Sequence, residues 1–139
     1  MPAPDDTAEQ IAALLDGLVR RQRRATKEGL DVTHGQLRML RTLDHADRAL
    51  RLSELANQLG IVPRSATSVV DDLEAARLVA RSPDPNDRRA TLVTLTPAGT
   101  ELLTTIRRNR RDAMVTLIDR LSAAERSDLL RLLTRLSED

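Results

Sequence analysis

The chain has 139 residues, of which 40% are hydrophobic and 31% charged, with a formal net charge of +1 and no Phe, Trp, Tyr or Cys. Its core must therefore be aliphatic, which favours helix packing and removes the aromatic platform on which single-stranded nucleic acid stacks. The missing Cys excludes a disulfide framework, a thiolate metal site and a thiol redox switch.

The opening MPAPDDTAEQ lacks a basic region followed by an apolar core, and no run of about eighteen apolar residues occurs anywhere, so a cytoplasmic protein with no membrane partner is expected. Residues 7 to 28 read as a first helix. Thr7 and Gln10 have capping-box spacing, and Ile11, Leu14, Leu15, Leu18 and Val19 form one apolar stripe. Arg20, Arg21, Arg23, Arg24 and Lys27 spread round its second half as a solvated face does, phosphate contact or an acidic partner being the other reading. Arg107, Arg108, Arg110 and Arg111 are read in the same way. A second helix opens at the capping box of Thr33 and Gln36, with Val32 and Leu37 spaced as a hydrophobic staple, and runs to about Asp44. On it Leu37, Leu40 and Leu43 are placed to pack under the next two helices. His34 and His45, the only histidines, would stand about 16 Å apart along a helix, too far to share one metal ion.

Leu52, Leu55, Ala56 and Leu59 then form a short helical stripe, with Ser53 as the expected N-cap and Gly60 as the residue that ends it. Pro63 opens the next helix as its first residue, and Ala66, Val69, Val70, Leu73 and Ala76 form its buried side. Arg64, Ser65, Thr67, Ser68 and Asp72 are left largely off that side. Two short helices joined by a turn containing Gly match the helix-turn-helix, whose second helix enters the major groove by its N-terminal end. Helical periodicity is lost after Leu78, where VARSPDPNDRRATLVTLT reads as two short strands round a turn-rich loop from Pro83 to Asp87. Asp87 and Arg89 share one side of an extended backbone, so their side chains are expected to pair at the hairpin tip and leave Arg88 free.

Bulk charge announces nothing here, because six Arg balance six carboxylates between Arg51 and Thr96. Placement matters more: Arg64 opens the second helix and Arg88 and Arg89 lie in the wing, whereas Asp71, Asp72 and Glu74 lie late in the helix. Thr96 and Pro97 start a long helix carrying Leu102, Leu103, Ile106, Ala113, Met114, Leu117, Ile118 and Leu121. Ser122 and Glu125 cap a last one carrying Leu129, Leu130, Leu132, Leu133 and Leu136. The terminal helices hold more Leu than one small winged unit covers, which points to a two-fold homodimer. No glycine-rich phosphate loop, metal-spaced His pair or Ser beside a His base occurs, and adjacent acids such as Asp71 and Asp72 point apart on a helix, so no enzyme and no cofactor are expected.

LSELANQLGI, VVDDLE and RSPDPNDRRATLVTLTPAG resemble the MarR (multiple antibiotic resistance regulator) family, the DPNDRR wing followed by LTPAG being the most specific part. The resemblance runs from about Ile11 to Leu136. It implies a mainly α fold with a small β-wing: an N-terminal dimerisation helix (1–30), a winged helix-turn-helix (31–96) and C-terminal dimerisation helices (97–139), the first and last helices intertwining. It also implies a regulator, often a repressor, that binds double-stranded DNA at a pseudo-palindromic operator and is released by a small-molecule effector. The matching DNA-binding positions are Arg64, Ser65, Thr67 and Ser68, with Asp87, Arg88 and Arg89 in the wing. Three departures stand out. Val62 replaces the family's usual Ser or Thr cap, Arg77 replaces its usual Gly, and the aromatics that often line its ligand pocket are absent. An architectural DNA-binding protein without sequence preference, or a helical adaptor that binds only protein, are the alternative classes.

Overall fold

The structure is a computed structural model that describes residues 4–27 and 30–138. The elements in chain order are α1 (Pro4–Lys27), α2 (His34–Ala46), β1 (Leu50–Arg51), α3 (Leu52–Leu59), α4 (Pro63–Ala75), β2 (Val79–Asp84), β3 (Asp87–Leu95), α5 (Pro97–Ile118) and α6 (Ala123–Ser137). This is the expected mainly α fold with a small wing. The chain divides into two compact units, one containing α1 together with the chain from Arg107 on, the other Leu30–Ile106.

The winged unit, Leu30–Ile106, holds every buried hydrophobic side chain of the described residues. Leu37, Met39, Leu40 and Leu43 of α2 form the floor, and Leu55, Ala56 and Leu59 of α3 with Ala66, Val70 and Leu73 of α4 pack on it. The α2 cap is the expected reciprocal one: the Gln36 N–H donates to Thr33 Oγ1 at 3.1 Å and the Thr33 N–H to Gln36 Oε1 at 3.0 Å. Helix α2 outlasts its expected end and stops at Ala46, where Asp47 turns left-handed with φ 51°.

Three details differ from the sequence reading. The helix α3 starts one residue before Ser53, with Arg51 as the N-cap, because Arg51 is held extended opposite Leu92 and its N–H donates to Glu54 Oε1 at 3.1 Å. That same pairing creates the two-residue strand β1, which no periodicity of two residues can announce. The wing loop is also tighter than expected. Strand β2 continues to Asp84 and β3 begins at Asp87, leaving Pro85 and Asn86 as the turn, so the sheet order is β1-β3-β2. Pro83 is tolerated inside β2 because that strand is an edge.

Beyond the wing, Thr96 ties three segments together. Its hydroxyl donates to Arg77 O at 2.7 Å and accepts the Gly99 N–H at 3.1 Å, while its own N–H donates to Leu78 O at 3.1 Å. A Cβ at Gly99 would stand 2.2 Å from Leu78 O, so only glycine allows the start of α5 to approach the turn after α4 this closely. That requirement explains the spacing of LTPAG physically. The turn itself carries strain, since Arg77 sits at φ 61°, a left-handed conformation that disfavours a side chain.

The other unit has the opposite character: among its described residues none is buried. Helix α1 begins at Pro4, so Thr7 lies inside it rather than at its cap; the expected last residue, Glu28, lies outside the described residues. Gln22 of α1 donates to Ala113 O of α5 at 3.4 Å. The α6 cap forms as expected, with Glu125 N–H to Ser122 Oγ at 3.2 Å and Ser122 N–H to Glu125 Oε1 at 3.1 Å. Yet Ile11, Leu14, Leu15 and Val19 on α1, Val115 on α5, and Leu130, Leu132, Leu133 and Leu136 on α6 are all exposed.

Relieving the strain at Arg77 is the simplest test of this geometry. Arg77→Gly is expected to raise the free energy of unfolding by about 1 kcal/mol, and Gly99→Ala to lower it by more, both read from urea denaturation at constant slope.

Candidate nucleic-acid interface

The surface begins with the entry to α4. Val62 is the N-cap and Pro63 the first helical residue, so φ is pre-set and no N–H is wasted, but the Val62 side chain makes no cap bond. Ser or Thr in its place would contribute about 1 kcal/mol. With Ala66, Val70 and Leu73 buried, the 3.6-residue period leaves Arg64, Ser65 and Ser68 exposed on the outer face. Thr67 is placed differently. It is half-buried and its hydroxyl donates back to Pro63 O at 3.0 Å, which leaves it acceptor capacity only. Ala76, expected on the buried side, is the exposed C-cap.

In the wing, Arg88 and Arg89 are both exposed, and Arg89 lines a cleft with Arg51 and Ser53 at the start of α3. The expected side-chain pair between Asp87 and Arg89 is corrected: the Asp87 carboxylate accepts the backbone N–H of Arg89 at 3.0 Å. An Asp can reach the N–H two residues on within the turn itself, which pins the backbone and leaves both guanidinium groups outward.

The ion pair that does anchor the wing was not legible in the sequence. Asp84, 5% exposed, accepts Arg51 Nε and Nη2, each at 2.8 Å, through one carboxylate oxygen, and the Asn86 N–H at 2.9 Å through the other. The Asn86 N–H and then the Arg51 guanidinium hold the Asp84 carboxyl below its ordinary value, against burial, which pushes it up. A second strap runs from Arg81 on β2 to α4. Its guanidinium pairs with Asp71 and, at 3.1 Å, with Glu74, and its Nη2 reaches Thr67 O at 3.5 Å. The hydrogen bond to Asp71 is the main reason that the Arg81 guanidinium is held more firmly protonated than usual. Asp71 and Glu74, read from the sequence only as acids late in the helix, are therefore spent on the wing. Neither strap has a sequence signal, since Arg51 and Asp84 are 33 residues apart and Arg81 and Asp71 are 10.

These pairings sort the charges. Arg51 and Arg81 are neutralised by carboxylates, whereas Arg64, Arg88 and Arg89 face outward as donors with no side-chain acceptor among the described residues. Among the described residues, no helix is long and apolar enough to cross a membrane.

Comparison with known proteins sets this surface in context. A family model described as MarR family matches residues 32–91. The HTH-type transcriptional regulator YdgJ of Bacillus subtilis is 30% identical over 105 residues, a match spanning 76% of this chain and 63% of YdgJ. The HTH-type transcriptional regulator Mb0904 of Mycobacterium bovis is 33% identical over 111 residues, spanning 80% of this chain and 76% of that protein. Among solved structures, a mutant of S. aureus MepR bound to an oligodeoxyribonucleotide matches with a TM-score of 0.79 at 23% identity, covering 91% of this chain and 94% of MepR. At that identity the likeness is one of fold.

The wing anchor gives a pH signature. The Asp84 carboxyl is depressed below its ordinary 3.8, so the stability it contributes is present above that value and lost as pH falls through the lower folded one. Asp84→Asn should therefore be less stable than wild type by a constant margin from pH 7 down to about pH 5, and that margin should shrink below about pH 4. Paired urea titrations at each pH read it directly.

Proposed function

The chain belongs to the MarR family, and from that premise we propose that it is a homodimeric, sequence-specific double-stranded-DNA-binding transcription regulator. The observation that supports this best is the sorting of charge in the winged unit: the guanidinium groups of Arg51 and Arg81 are spent on carboxylates, and those of Arg64, Arg88 and Arg89 face outward on two elements strapped to one core. Helix α4 enters the major groove by its N-terminal end, where Arg64 makes a bidentate contact to guanine and Ser65 and Ser68 meet bases or phosphates. Thr67, with its hydroxyl turned inward, can only accept from a base amino group. The wing follows the backbone into the minor groove, Arg88 and Arg89 supplying charge and Asp87 fixing the turn that aims them. The protein acts by binding, not by catalysis, and needs no cofactor.

The dimer follows from the unit built of α1 and the chain after Arg107. Its Leu and Ile side chains stand exposed in the single chain, and a two-fold copy covers both sets at once. Two copies present two α4 helices, so the operator is a pseudo-palindrome with half-sites about one helical turn apart. The regulator acts as a repressor released by a small molecule, and with no Cys that release is non-covalent. Its setting is the cytoplasm. An architectural protein would use the same Arg residues without preference for sequence, and nothing in the fold favours it.

Arg64→Ala should cost about 1 to 3 kcal/mol on the preferred duplex and far less on random DNA. Arg88→Ala should weaken both evenly and flatten the salt dependence by about one phosphate contact. Fluorescence anisotropy on the two duplexes across a salt series separates these roles. Light scattering at micromolar concentration should give twice the chain mass of 15.4 kDa; a monomer there would rule out the dimer.

A further inference from the structure

Among the described residues of Leu30–Ile106, Val62 is the one large hydrophobic side chain that stands exposed, at 62%. The other exposed ones lie on α1, at Val115 and on α6, the surface assigned above to the proposed dimer. Val62 does nothing for its own helix, because it occupies the N-cap without a side-chain bond. Its backbone, in contrast, is firmly held. It is extended at φ −70° and ψ 149°, as a residue before proline must be, and its carbonyl accepts the Ser65 N–H at 3.0 Å and the Ala66 N–H at 3.1 Å. A β-branched side chain on a fixed backbone has few rotamers, so two methyl groups are presented in a set place beside exposed Arg64 and Ser65.

We propose that Val62 is a specificity-determining residue that reads the 5-methyl group of one thymine in each half-site by apolar contact. This rests on the DNA-reading function set out above and extends it to a residue with no hydrogen-bonding group. The chemistry is selective because thymine alone among the four bases carries a methyl group in the major groove. The first residues of a helix seated there are those that meet base edges. Val62 gives up the cap that Ser or Thr would provide, and gains an apolar surface at the position where such a surface discriminates.

The test uses the full-length chain and a duplex selected for tight binding, with each thymine replaced in turn by deoxyuridine, which pairs identically and lacks only the methyl. Wild type should lose about fourfold in affinity at one position per half-site, the equivalent of one buried methyl group. Val62→Ser, which supplies a cap acceptor and so keeps the helix, should bind the thymine and deoxyuridine duplexes alike at that position. Val62→Ala should do the same without adding a cap. Arg64→Ala should bind both more weakly yet keep the fourfold difference. An equal deoxyuridine penalty in wild type and in both Val62 variants, or no sensitive thymine at all, would overturn the proposal while leaving the DNA-reading function standing. Failure of wild type to prefer any duplex would overturn both.

Discussion

The carboxylate of Asp84 is where the wing meets the helix-turn-helix, and the position of every outward-facing Arg of the wing depends on it. One oxygen takes the guanidinium of Arg51, the residue that ends β1 and caps α3; the other takes the N–H of Asn86 inside the two-residue turn. Burying a charge is costly unless it is paired and hydrogen-bonded, and here it is both. Such a pair adds little net stability compared with an apolar replacement, but removing one partner strands the other. Its value is positional. With Arg81 strapping β2 to α4 at the other end, the wing and the candidate recognition helix are braced against the same core.

Bracing matters because the surface it supports is small. Reading a base edge requires donors held in a set place before DNA arrives, and short side chains such as Ser65 and Ser68 cannot search for one. The fold meets this demand with aliphatic packing alone. Met39, Leu40, Leu50, Leu55 and Leu73 fill the space under α3 and α4 without a single aromatic ring. Among the described residues, left-handed backbone at a non-glycine residue falls at Asp47, which ends α2, and at Arg77, in the turn after α4, where Thr96 and Gly99 hold the chain from below. The second unit is organised by the opposite principle, with its apolar stripes turned outward, and the proposed dimer rests on that contrast.

Much of this was legible in the sequence because it depends on neighbours along the chain. The caps at Thr33 and Ser122, the glycine ending α3, the proline opening α4 and the stripes of α2 to α4 are set within a few residues, and each stands where its spacing placed it except Ala76, which ends α4 exposed. What escaped depends on partners far along the chain. Strand β1 exists because Leu50 and Arg51 find Val93 and Leu92, and Ser53 loses the cap for the same reason. Asp84 looked like one more turn residue between two prolines, and Asp71 and Glu74 like acids late in a helix with no assigned partner, because the Arg partners of all three lie on other elements. Asp87 misled in the other direction: a carboxylate two residues before an Arg suggested a side-chain pair, and the shorter reach to the backbone N–H prevailed.

The central claim is that α4 and the wing form one braced surface that distinguishes DNA sequences. The most direct test is the ratio of affinities for the duplex protected in a footprint beside the chain's own coding region and for a scrambled duplex of equal length and composition, measured at one physiological salt concentration. The account predicts a ratio of about a thousandfold or more, as specific regulators show over their non-specific binding. A ratio near one, with both affinities falling together as salt rises, would contradict it and leave only a charged surface that holds any duplex.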